Sequence, residues 1–100
     1  MLNKEHIVRT LQENSKTLRD QFSIEKMGLF GSFSRGQETP QSDIDFIIEL
    51  NPNTEDIYET KQALRKYLKR IFHRKIELAH YKYLKSYARD QILSGVVPIV

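Results

Sequence analysis

The spacing of apolar residues changes several times along the chain, and each change marks an element. From Asn3 to about Phe22, Ile7, Leu11, Leu18 and Phe22 recur at helical spacing with Asn14 in the remaining slot, which predicts one single-sided amphipathic helix. Asn3 is placed to cap its start, and Ser23 opens a break before Ile24-Glu25-Lys26 leads onward. Met27–Phe30 is a short apolar run ending at Gly31, consistent with a buried strand. Gly31–Gly36 then predicts a turn and a short helix that Gly36 ends, and Gln37–Ser42, polar and containing Pro40, reads as a loop.

Asp43–Leu50 is the clearest strand: Ile44, Phe46, Ile48 and Leu50 share one face, and Asp43, Asp45, Ile47 and Glu49 the other. Asn51-Pro52-Asn53-Thr54 ends it, with Thr54 as the expected cap of a helix over Glu55–Phe72. Ile57, Leu64, Leu68 and Ile71 form that helix's apolar stripe, interrupted by Lys61. A strand over Lys75–His80 follows, with Ile76 and Leu78 on one face and Glu77 on the opposite one. A last helix, Leu84–Leu93, is expected to bury Leu84, Ala88 and Ile92 and to stop near Gly95. Val96–Val100, interrupted by Pro98, forms an edge strand or covers part of the core. The chain holds no internal repeat, low-complexity tract or linker.

Composition narrows the class. One hundred residues is the size of a single domain, residues 1–100, able to bury roughly 60 to 68% of the surface its unfolded chain exposes. No apolar run approaches the ~20 residues of a membrane span. The amino terminus lacks an apolar signal core and the chain has no cysteine, so a cytoplasmic protein is expected. The net charge of +3 comes largely from the segment between Lys61 and Lys85. Such a segment is either a solvated helix face or a patch that attracts phosphates or an acidic partner.

The chemistry concentrates between Gly31 and Asp45. Gly31 allows a tight turn and close backbone approach, while Ser32 can cap the expected short helix and offer its hydroxyl to a phosphate oxygen. Free amides at a helix start favour an anion. Asp43 and Asp45, two apart on a strand, project from one face about 6 to 7 Å from each other. At an effective dielectric of ~20 they repel by about 2.5 kcal/mol. A divalent cation reverses that balance, and aspartates sharing magnesium with substrate phosphates are its usual setting. Glu77 follows the same alternation and is a candidate third carboxylate, although acids on solvent faces of strands are common. His6, His73 and His80 have no metal-ligand spacing and receive no role.

Gly31-Ser32, ten intervening residues that include Arg35-Gly36, and then Asp43-Ile44-Asp45 closely resemble the signature of the minimal nucleotidyltransferases of the polymerase-beta-like superfamily. The order of elements from Ile24 to about Ile99 resembles that family too. The resemblance implies an α+β fold, a small mixed sheet flanked by helices, with ATP as nucleotide donor and two Mg2+ ions. It further implies that Gly31 and Ser32 hold the triphosphate, that Asp43 and Asp45 ligate metal, and that Glu77 stands at the position of the third acid. That acid orients or deprotonates the attacking hydroxyl, and this chain carries glutamate where aspartate is usual, a shift of roughly one bond length. Arg35 contacts phosphate or a neighbouring carboxylate in this scheme, or is a surface arginine in a turn.

Small proteins resembling this one act as antitoxins that transfer AMP to a tyrosine of a HEPN-type ribonuclease toxin. Two readings follow: an adenylyltransferase antitoxin, or a nucleotide-binding antitoxin that neutralises its partner by contact alone. A third, a basic nucleic-acid-binding domain, is disfavoured because Asp43 and Asp45 would repel a phosphate backbone unless metal were bound.

Overall fold

The computed structural model describes the backbone of residues 2–100 and their side chains except those of residues 86–88. The amino-terminal segment, expected as one helix, forms two: α1 (Lys4–Glu13) and α2 (Ser15–Phe22). Asn14 parts them, its side chain donating to the Thr10 carbonyl at 2.7 Å while its amide turns back to the Leu11 carbonyl at 3.1 Å. Asparagine competes for backbone groups in this way, which makes it a poor helix interior. The apolar period survives the break, and Ile7, Leu11, Leu18 and Phe22 are all buried. Asn3 caps α1 as expected, its Oδ1 accepting from the His6 amide at 2.9 Å.

Ser23, at a left-handed φ of 55°, ends α2 and feeds β1 (Ile24–Phe30), which starts three residues before the apolar run does. β2 (Ile44–Leu50) pairs with β1 antiparallel and with β3 (Ile76–His80) parallel. The parallel pair requires a crossover, which α3 (Ile57–Phe72) supplies. Asp56, not Thr54, caps α3: its Oδ1 accepts from the Glu59 amide at 2.9 Å, while the Thr54 hydroxyl donates to the Asn51 carbonyl at 2.6 Å. The helix therefore begins at Ile57 rather than Glu55, and Ile57, expected in the apolar stripe, is 37% exposed in the first turn. Leu64, Leu68 and Phe72 form the buried stripe, with Ile71 half-buried beside it.

After β3 the chain makes one 3-10 turn (Tyr81–Tyr83), so α4 (Ser86–Ser94) starts later than Leu84. Leu84 and Ile92, expected in the core, are half-buried, and the expected burial of Ala88 lies outside the described side chains. The tail closes the sheet as an edge strand, β4 (Val97–Pro98), antiparallel to β1. The strand order is β3-β2-β1-β4.

Helices α1 to α3 cover one face of this sheet. Met27 and Leu29 of β1, Ile44, Phe46 and Ile48 of β2, and Ile76 and Leu78 of β3 meet the helix stripes there in one apolar cluster. The Phe46 ring lies 6.5 Å from that of Phe72, and Phe22 lies 4.9 Å from Tyr67. Alternation therefore leaves Asp45, Ile47, Glu49 and Glu77 on the opposite face. Among the described residues, no helix is long and apolar enough to cross a membrane.

Candidate active site

Asp45 stands where three elements meet. Its backbone is in register with Phe30, the last residue of β1, and with Glu77 on β3. Neighbouring strands run about 4.8 Å apart, so the Asp45 and Glu77 side chains rise side by side from one face. Asp43 leads into β2 two residues earlier, and its carboxylate joins the same group. A single ammonium group spans the acids: Lys75 Nζ lies 3.9 Å from Asp43 Oδ2 and 3.4 Å from Glu77 Oε1.

The electrostatics follow from that crowding. Burial raises the Asp45 pKa above its ordinary value, and the neighbouring charges of Asp43 and Glu77 raise it further, while Arg35 pulls it down. Arg35 thus acts electrostatically on Asp45, and its Nε donates to Gln37 Oε1 at 3.1 Å. Among the described residues, no three of His, Asp or Glu are drawn together tightly enough to enclose a metal ion.

Gly31 is fixed by two separate constraints. Its φ is 77°, and a Cβ built there would overlap Asp45 Oδ2. The short helix expected after it is absent: residues 31–36 form successive turns, and Ser32 has no helix to cap. Hydrogen bonds fix the turn, among them one from the Gly36 amide to the Phe33 carbonyl at 3.4 Å. The Ser32 carbonyl accepts from the Arg35 amide at 3.2 Å and the Gln37 amide at 2.9 Å, and Ser34 Oγ donates to the Gly31 carbonyl at 2.8 Å. Among the described residues, the amides of Ser32, Phe33 and Ser34 donate to no acceptor. Consecutive free amides in a turn make an anion-binding concavity, so the anion-favouring property survives without the helix.

Beside the turn opens a cleft of about 340 Å³, lined by Phe30, Gly31, Arg35, Gln91, Ile92 and Ser94. The fold thus brings together all six residues singled out in the sequence: Gly31, Ser32, Arg35, Asp43, Asp45 and Glu77. Sequence reasoning missed Ser34, Lys75 and the α4 wall of the cleft. Lys75 was legible only as one member of a basic segment, and its alternation with Glu77 was the available signal. His80 lies buried at the far end of β3, where burial first and then Lys61 and Lys82 lower its pKa.

A mixed sheet with a glycine turn at the end of its first strand and acids on the next two defines a class, and the match of the nucleotidyltransferase domain to residues 11–98 puts this chain in it: the protein belongs to the nucleotidyltransferase family and is an enzyme of that kind. Within the family it is 30% identical over 99 residues to the protein adenylyltransferase MntA of Thermococcus cleftensis, spanning 97% of this chain and 96% of MntA. Its fold matches that of a candidate minimal nucleotidyltransferase with a TM-score of 0.79 at 20% identity, covering 97% of this chain and 96% of the other. A crystal structure of a toxin-antitoxin with AMP-PNP shares the fold with a TM-score of 0.68 at 18% identity, over 89% of this chain and 72% of that one.

Proposed function

We propose that this protein is an antitoxin that transfers AMP from ATP, in a magnesium-dependent reaction, to a tyrosine hydroxyl of a HEPN-type ribonuclease toxin. The observation that carries this reading is the gathering of Asp43, Asp45 and Glu77 on one side of the sheet, with Asp45 packed on Gly31 at the head of a turn whose amides are free. Its identity over nearly the whole chain to a protein adenylyltransferase supports AMP as the transferred group. The fold shared with a toxin-antitoxin bound to AMP-PNP supports the setting.

The residues present fit a divalent cation. Asp43, Asp45 and Glu77 offer hard oxygen donors, and the Asp45 pKa is raised by burial first and then by the charges of Asp43 and Glu77, a repulsion that a cation would offset. Asp43 and Asp45, with Glu77 beside them, would hold Mg2+ together with the nucleotide's phosphates rather than enclose it by themselves, and the bound ion would neutralise phosphate charge and stabilise attacking and leaving oxygens. The Ser32, Phe33 and Ser34 amides and the Ser32 hydroxyl bind the triphosphate, and Arg35 adds a positive charge beside it. The acceptor oxygen attacks the α-phosphorus, the bond to the bridging oxygen breaks, and pyrophosphate leaves. The hydroxyl proton passes to the Glu77 carboxylate, whose side chain is 49% exposed and so reachable by a partner's tyrosine.

Glu77 is also the reason to keep the contact-only reading, because Lys75 is already paired with it at 3.4 Å. Incubation with ATP, Mg2+ and the toxin, followed by intact mass measurement of the toxin, separates the two. A gain of AMP that disappears with Asp43→Asn or Asp45→Asn is the expected result. An unchanged mass in a stable complex would establish neutralisation by contact.

A further inference from the structure

Arg74 ties together three parts of the site that the sequence keeps apart. Its Nη1 donates to the Ser42 carbonyl at 2.9 Å and to the Thr39 carbonyl at 3.4 Å, and its guanidinium carbon lies 5.6 Å from the centroid of the Phe33 ring. Phe33 is the fully buried residue of the glycine turn. Ser42 immediately precedes Asp43, and Arg74 itself stands three residues before Glu77.

The loop that Arg74 grips has little other attachment. Thr39, Pro40 and Gln41 are exposed, and the loop bonds mainly to itself: the Ser42 amide donates to the Thr39 carbonyl at 3.0 Å, and the Thr39 amide to Ser42 Oγ at 2.8 Å. On the other side of Asp43, the Ile44 amide donates to the Lys75 carbonyl at 3.0 Å. One dipeptide, Arg74-Lys75, therefore holds the residue before Asp43 by a side chain and the residue after it by the backbone. A guanidinium suits the first task because it donates in its plane while its face stacks on an aromatic ring. A lysine ammonium can reach a carbonyl but presents no planar face.

We propose that Arg74 is a positioning residue for nucleotidyl transfer, fixing Asp43 relative to both the phosphate-binding turn and Glu77. The proposal rests on Asp43 acting in the site as described above. Misplacement of a reacting group by about 1 Å can cost about 100-fold in rate, so a loosened Asp43 is a large loss without any lost contact to substrate.

The test compares wild type, Arg74→Ala and Arg74→Lys as full-length protein. It uses amide hydrogen exchange, Mn2+ affinity by electron paramagnetic resonance, and steady-state AMP transfer to the toxin. Arg74→Ala is expected to speed exchange across residues 38–44 about tenfold, with β1 and α3 unchanged, and to weaken Mn2+ binding about tenfold. It lowers kcat about 100-fold while KM for ATP moves less than about threefold. Arg74→Lys recovers only part of the kcat. If Arg74→Ala raises exchange uniformly along the chain while Mn2+ affinity and kcat per folded molecule stay at wild-type values, the role is structural only and the proposal falls. If Arg74→Ala does not fold, the decision passes to Arg74→Lys, and full wild-type kcat and Mn2+ affinity in that variant overturn the proposal. A wild type that neither binds Mn2+ nor transfers AMP removes the reaction itself, and the positioning role with it, an outcome distinct from an active wild type with an equally active variant.

Discussion

The two faces of β2 obey opposite rules. Ile44, Phe46 and Ile48 point into the helices and are fully buried, while on the other face Asp45 and Glu49 are half-buried and charged, with the fully buried Ile47 between them. The first face stabilises the fold by removing apolar surface from water. The second leaves Asp45 beside Asp43 and Glu77, where Arg35 offsets part of the repulsion on Asp45 and Lys75 pairs with the other two acids. One strand thus holds a core that would serve any α+β protein and the acids of the proposed site. Alternation of side chains, the same feature that makes a strand readable, lets seven residues do both.

The comparison predicts mutations that separate the faces. Phe46→Ala should cost about 3 to 5 kcal/mol of stability through the cavity beneath Phe72, measured by urea denaturation, with AMP transfer per folded molecule little changed. Gly31→Ala joins the faces at their boundary: the positive φ and the overlap with Asp45 together should cost about 2 kcal/mol, and AMP transfer should fall at least tenfold.

A smaller effect comes from pH. The folded-state pKa of Asp45 is raised, so the folded protein holds a proton that the unfolded chain, near 3.8, has released. Metal-free stability attributable to this group is therefore present below pH 3.8 and is lost as pH rises through the folded-state pKa. Asp45→Asn should abolish that decline and leave the metal-free protein more stable at pH 7, by comparing urea denaturation across pH. The smallest effect belongs to Lys75. Its ammonium competes with any cation for Asp43 and Glu77, so Lys75→Gln should tighten Mn2+ binding about threefold in a titration.

Period and spacing made most of the sheet legible, together with the positions of all three acids. The misses have local causes. Asn14 broke a helix whose apolar period runs on unbroken, because a side-chain bond to Thr10 leaves no trace in hydropathy. Ile57 was read into a stripe because helix caps fall within a residue or two of one another in a polar run, and Asp56 rather than Thr54 did the capping. The turn at Gly31 was given a helix it does not form, yet its free amides keep the same preference for anions. Arg74 and Lys75 were submerged in a basic segment, since charge counting cannot tell a solvated side chain from one that folds back across the sheet edge. Asp45 and Glu77 were readable because β-strand alternation fixes direction as well as position, whereas Asp43, expected inside the strand, lies one residue before β2.

Thermal melting with and without Mg2+ and a non-hydrolysable ATP analogue, in wild type and Asp45→Asn, tests the central claim most directly. In EDTA the variant should melt above wild type, because it removes the half-buried charge that Asp43 and Glu77 repel. Metal and nucleotide should then raise the wild type by more than they raise the variant. An equal rise in both proteins would contradict the account, because it would place the cation and the nucleotide somewhere other than Asp45.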